Sequence, residues 1–185
     1  MIKNIFIAAL FLVCANIANA QSKFFTKTGT VSFLSKTPLE NIQGINKKSI
    51  CILNTETGQI DIALLQKAFE FEKALLMEHY NENYVESDKF PKATFKGKIE
   101  NLSAINFKKD GIYNANISGD LTMHGVTKNV VTPAVFTVKN GNLSAHALFS
   151  ILLADYNIAI PAAVKDKISS DIKITVDVNL EPSAK

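Results

Sequence analysis

Arginine and tryptophan are both missing from this chain of 185 residues, so all 20 of its basic side chains are lysine. Without arginine there is no planar fork to grip a phosphate or a base edge at two points, and a formal charge of +3 is too small an electrostatic footprint for nucleic acid. A nucleic-acid partner is therefore not expected. Cysteine is nearly absent. Cys14 falls in the first apolar run, and Cys51 is then left without an intrachain partner, so the fold must be held by its core, with Cys51 as a small buried hydrophobe. Gly-rich phosphate loops, GxSxG elbows and HExxH spacings are absent too.

What is present begins with an address. Lys3 precedes an apolar run from Ile5 to Val13, and Ala18-Asn19-Ala20 supplies a small-x-small cleavage pattern. The run is too short to span a bilayer comfortably and no stop-transfer segment follows it, so no transmembrane span is expected. Residues 1–20 read as a signal peptide, with a periplasmic or secreted product starting near Gln21. Val13 stands before Cys14 where a lipoprotein signal usually places Gly, Ala or Ser, which argues against a lipid anchor. Residues 21–185 suffice for one domain. The 12 Phe of the whole chain, in the absence of any Trp, point to an aromatic-lined interior, either a filled core or a cavity for something greasy.

Period-two alternation dominates the rest. Val31 and Phe33 share one face of a run from Thr28 to Ser35, and Ser49 to Leu53 forms another candidate strand before the turn Asn54-Thr55-Glu56-Thr57-Gly58. Ile60 to Phe71 is apolar but alternates imperfectly. Leu76, Tyr80 and Tyr84 then recur at helical spacing, giving a helix over about 72–81 inside a helical insertion that reaches 87. Pro91 ends it. Phe95, Gly97 and Ile99 next share a face opposite Lys96 and Lys98. The cleanest amphipathic strand follows, with Tyr113, Ala115, Ile117, Gly119, Leu121 and Met123 on its apolar side. Further runs cover Val130 to Val138, Leu143 to Leu153 and Ile172 to Leu180, with an Asn140-Gly141 turn between the first two. Consecutive alternating strands with short turns favour an all-β, eight-stranded antiparallel barrel, because closure removes exposed edges.

Catalytic chemistry finds little support in this pattern. His79, His124 and His146 fall on different expected elements, so no metal site is expected and they read as hydrogen-bonded structural residues. Ser144 and His146 share a strand face without a nucleophile elbow. Glu78, Glu82, Glu86 and Asp88 crowd the helical insertion, where a solvated face accounts for them more simply than paired acid-base carboxylates do. No cofactor is called for, and the chain does not read as an enzyme.

Two segments carry more than pattern. The stretch from His79 through Tyr80, Tyr84, Phe90 and Pro91 to Phe95 resembles the His-hydrophobic, aromatic, Phe/Tyr-Pro-x-x-x-Phe signature of the YceI family. Gly119-Asp120-Leu121-Thr122-Met123-His124-Gly125-Val126-Thr127-Lys128 is similar to that family's Gly-x-Leu-Thr-x-x-Gly-Val-Thr-Lys strand and turn. The start shows Lys27-Thr28-Gly29-Thr30-Val31 where the family commonly has Asp-x-x-His-Ser. The resemblance implies a lipocalin-like barrel, exported and non-catalytic, whose apolar interior holds a polyisoprenoid or other lipid.

Candidate ligand contacts follow from the alternating faces and the resemblance together: Phe33, Phe95, Gly97, Ile99, Tyr113, Ala115, Ile117, Gly119, Leu121 and Met123 on the barrel wall. His79 and Tyr84 are placed to orient a head group near the opening or to dock the helix. The small residues Gly97, Ala115 and Gly119 are expected to leave one elongated cavity over both faces. The alternative is a filled barrel acting through protein partners in the envelope. A homodimer is compatible with either reading.

Overall fold

The computed structural model describes residues 22–183. The signal peptide expected over 1–20, with Cys14 and the cleavage site, lies outside the described residues. Alternation produces long strands: β1 (Lys23–Lys36), β2 (Asn41–Asn54), β3 (Gln59–Leu65), β4 (Phe69–Phe71), β5 (Lys92–Ile99), β6 (Gly111–Met123), β7 (Val126–Lys139), β8 (Asn142–Leu152) and β9 (Asp171–Pro182). All pairings are antiparallel, in the order β1-β9-β8-β7-β6-β5-β3-β2, and β1 also pairs with β2. That last pairing closes an eight-stranded barrel. The ninth strand, β4, continues the path of β3 along β2, with Gly44 opposite Phe71 and Asn46 opposite Phe69.

Turn chemistry explains the joins. At both the β6–β7 and β7–β8 hairpins the two central residues have positive φ: His124 (51°) with Gly125 (73°), and Asn140 (51°) with Gly141 (77°). Such two-residue turns match the twist of the flanking strands, and glycine enters their second position without strain.

Two expectations are refined. The apolar run from Ile60 to Phe71 is two strands, broken by a 3-10 turn at Gln66–Ala68, which accounts for its imperfect alternation. The helix is short: α1 (Ala74–His79) passes directly into a π-helical turn at Tyr80–Tyr84. The hydrogen bonds from Val85 N to Tyr80 O and Ser87 N to Asn81 O then return the chain towards the barrel.

Strand direction sorts the connections into two ends. The β2–β3 turn, the β5–β6 connection and the β7–β8 turn share one end. The β1–β2 turn, α1, the β6–β7 turn and the segment between β8 and β9 share the other. The first end is plugged. Leu102, Ile105 and Phe107 from the β5–β6 connection pack on a core that includes Leu53, Ile99, Ala115, Phe136, Val138 and Leu180. No helix among the described residues is long and apolar enough to cross a membrane.

Candidate functional site

The helix end of the barrel is not filled. A cavity of about 410 Å³ runs down from it, walled by inward side chains such as Val31, Phe33, Leu53, Ile60, Leu64, Ile117, Phe136 and Val176. Its roof comes from the insertion, through Leu76, His79, Tyr80, Tyr84 and Val85, and from the segment between β8 and β9, through Ile158, Val164 and Ile168. This volume lies in the range typical of small-molecule sites, and the lining is overwhelmingly apolar, as such sites require.

Seven of the sequence candidates meet there: Phe33, His79, Tyr84, Phe95, Ile117, Leu121 and Met123 all line the cavity. Gly97, Ile99, Tyr113, Ala115 and Gly119 do not, and each has a physical reason. Ile99 and Ala115 belong to the core packed under the plug. Tyr113 packs beside that core and turns its hydroxyl outward to donate to Lys109 O at 2.8 Å. Gly97 and Gly119 face each other across β5 and β6, and the ring of Phe95 lies over both. The large ring thus occupies the space that the two glycines vacate, so the cavity is shorter than the faces that alternation defines.

An aromatic group forms one side of the roof. Tyr80 stacks on Phe33 with centroids 5.3 Å apart and meets Phe69 and Phe71 at 5.4 and 5.1 Å. Its hydroxyl donates to Gln66 Oε1 at 2.7 Å, and Gln66 lines the cavity from the break between β3 and β4. Burial pushes the Tyr80 hydroxyl well above the ordinary tyrosine range. Burial, aided by the charge of Asp61, pushes the Cys51 thiol up to about 12. Cys51 lines the cavity as a neutral thiol at ordinary pH, without the thiolate that nucleophilic chemistry needs.

The histidines occupy separate surroundings. His124 ties the insertion down: its Nε2 lies 2.8 Å from Glu86 Oε2 and its Nδ1 2.8 Å from Tyr156 O, while Phe90 packs edge-on against its ring. His146 pairs with Asp177 at 2.7 Å in an exposed position. Among the described residues no group of three or more His, Cys, Asp or Glu side chains is placed to hold a metal ion.

Gln66, Ile158, Val164 and Ile168 were not among the sequence candidates. Gln66 sits in a strand break, and the other three lie on a segment without periodic pattern, so alternation carried no signal for them.

A YceI-like domain model matches residues 15–180. No curated protein sequence matches the chain. The barrel is similar to a polyisoprenoid binding domain from Saccharophagus degradans, at 12% identity and TM-score 0.75 over 88% of this chain and 99% of that one. It is also similar to BcnA of Burkholderia cenocepacia, at 15% identity and TM-score 0.67 over 83% and 96% of the two chains. A YceI protein of Campylobacter jejuni matches at 18% identity and TM-score 0.58, over 77% of this chain and 85% of its own. With the family model covering nearly the whole chain and the same barrel in these structures, this protein belongs to the YceI family.

Proposed function

We propose that this protein is an exported, non-catalytic carrier that sequesters a polyisoprenoid or similar lipid in its barrel. The observation that carries the reading is the apolar cavity under the helical insertion, which a filled structural barrel would not have. Each methylene moved from water into such a wall contributes about 0.8 kcal/mol, so a long chain binds tightly without polar machinery. Phe33, Phe95, Ile117, Leu121 and Met123 would contact the chain, with His79 and Tyr84 nearer the roof. The likeness to the polyisoprenoid binding domain of Saccharophagus degradans supports a polyisoprenoid as the ligand class.

The signal-like pattern over residues 1–20 supports the same reading, since a water-insoluble lipid crossing an aqueous compartment needs a carrier. Protein purified from its native host should begin at or near Gln21, and organic extraction followed by mass spectrometry should release a lipid in near-stoichiometric amount. An intact Met1 would remove the export part of the proposal. Extracts that contain no lipid, together with failure of the purified protein to take up any long-chain apolar compound, would remove the carrier part.

A further inference from the structure

The two ends of the barrel differ in what they show to solvent. At the plugged end the apolar residues of the β5–β6 connection turn inward, with Leu102, Ile105 and Phe107 on the core, and tips such as Glu56, Lys109 and Asn140 are exposed and polar. At the other end apolar side chains turn outward. Leu39, in the β1–β2 turn, is 70% exposed, and Leu75 and Met77 of α1 are 59% and 40% exposed. Among the described residues every other large apolar side chain that stands exposed lies within a strand. Leu39 is held in place, since Thr37 Oγ1 accepts from Leu39 N at 3.3 Å and from Glu40 N at 3.1 Å. Four of the six residues of α1 are apolar, yet none is buried.

These side chains stand at the rim of the cavity. Leu75 is both cavity wall and surface, and Glu40 of the β1–β2 turn and Lys167 of the segment between β8 and β9 line the same space. A hydrogen bond from Ser169 N to Ser35 Oγ, at 2.9 Å, holds that segment against the end of β1. The apolar lining thus continues through Leu75 onto the outer rim. Rim charges have both signs, with Lys36, Lys73 and Lys167 set among Glu40, Glu72 and Asp166, so no field of one sign covers the opening.

We propose that this end docks on a lipid bilayer, with Leu39, Leu75 and Met77 entering its interfacial layer, so that a lipid passes between bilayer and cavity without crossing water. The proposal rests on the carrier reading and adds the place of entry. A stable protein interface buries about 800 Å² on each side, far beyond what three side chains supply, whereas a bilayer accepts apolar side chains singly and binds in proportion to the apolar area inserted. Mixed rim charge makes that insertion, rather than attraction to anionic lipid, the source of binding.

The test is binding of the exported chain to a supported phosphatidylcholine bilayer, read by surface plasmon resonance, which needs no lipid cargo. Reversible binding is expected, and added salt or phosphatidylglycerol should change its affinity by no more than about twofold. Changing Leu39→Gln together with Met77→Gln, both off the cavity wall, should weaken binding about tenfold or more. Leu39→Gln alone makes the same test if the double variant does not fold, and Ile112→Gln at the plugged end should bind like the parent. No binding by the parent, undiminished binding by the double variant, equal weakening by Ile112→Gln, or binding only where phosphatidylglycerol is present would overturn the proposal. Sedimentation showing that the parent self-associates through Leu39 and Met77 would also overturn it, by giving this face to a second copy. A parent that ignores the bilayer yet releases lipid on extraction would lose the docking surface and keep the carrier reading. One that binds the bilayer through Leu39 but neither releases nor takes up lipid would keep the docking surface and lose the carrier reading.

Discussion

Gly119 stands directly across from Gly97 in the β5–β6 ladder, so close that a Cβ built on Gly119 would lie 2.4 Å from Gly97 Cα and 2.5 Å from Lys96 O. Backbone atoms cannot step aside as a flexible side chain can. Gly119→Ala is therefore expected to destabilise the barrel by about 1–3 kcal/mol, as overpacking does, and a larger residue there should prevent folding. Guanidinium unfolding of the alanine variant checks this. A midpoint equal to the parent's would show that the strands separate freely.

The third member of that contact is Phe95, whose ring atoms would lie 2.6 Å from a Cβ at either glycine. Covering a glycine pair with an aromatic ring keeps water from the exposed backbone and supplies the apolar surface that the glycines lack. Phe95→Ala removes the ring and uncovers both glycines at once. A loss of about 2–3 kcal/mol is expected, below the range for fully buried Phe truncation because the ring is only partly buried and borders the cavity. Thermal and chemical unfolding should agree on it.

These three residues also show how far sequence carries. Alternation over Tyr113 to Met123 placed all six apolar positions on the inward face, because period two is a local property of a strand. The hairpin turns were legible for the same reason. What fills the space above an inward residue is not local. Gly97 and Gly119 read as room for a ligand until the neighbouring Phe95 is seen lying over them. Ile99 and Ala115 read as cavity wall until Leu102, Ile105 and Phe107 are seen plugging that end. The roof residues Ile158 and Ile168 lie outside regular strands and carried no periodic signal. Gln66 was hidden inside a run that looked merely apolar.

The hydrogen bonds from His124 to Glu86 and to Tyr156 O join the end of the insertion to the β6–β7 turn and to the segment after β8. His124 and Glu86 both have positive φ, so replacements must tolerate that backbone. Asparagine does so better than most residues, yet is too short to span the same contacts. His124→Asn is expected to lose about 1–2 kcal/mol and to raise amide exchange across residues 80–90 more than in β6. Unchanged exchange in the insertion would mean that the aromatic group around Tyr80 holds the roof by itself.

Alkaline pH should weaken the fold through its buried acids. The Tyr80 hydroxyl is pushed up from 10.0 by burial, Tyr156 up to about 12 by burial and the neighbouring Asp155, and Cys51 up to about 12 from 9.0. In each case the unfolded chain releases its proton first. Stability is fully present below the unfolded pKa and falls as pH rises towards the folded one, from about 9 for Cys51 and about 10 for the tyrosines. Urea unfolding from pH 8 to 11.5 should show this decline. Tyr80→Phe, which removes one such group, should narrow its stability gap to the parent as pH rises through that window. The Cys51 thiol should resist aromatic disulfide reagents at pH 8 until the barrel is unfolded.

Ala147 offers the direct test of the cavity. It lies on the inward face of β8 opposite Ala134 of β7, and both alanines line the cavity where it meets the packed core under the plug. A bulky side chain at Ala147 would project into volume that no protein atom occupies, whereas the same change in a close-packed core would cost about 1–3 kcal/mol. Ala147→Phe is therefore expected to stay within about 1 kcal/mol of the parent in chemical unfolding while its capacity for a long-chain apolar ligand falls at least tenfold. Ile112→Phe, on the outer surface where Ile112 is 75% exposed, serves as the control for added aromatic bulk and should leave uptake unchanged. If Ala147→Phe folds and loads lipid like the parent, the ligand does not occupy this half of the barrel. A loss of several kcal/mol would instead show that the space beside Ala147 closes in solution.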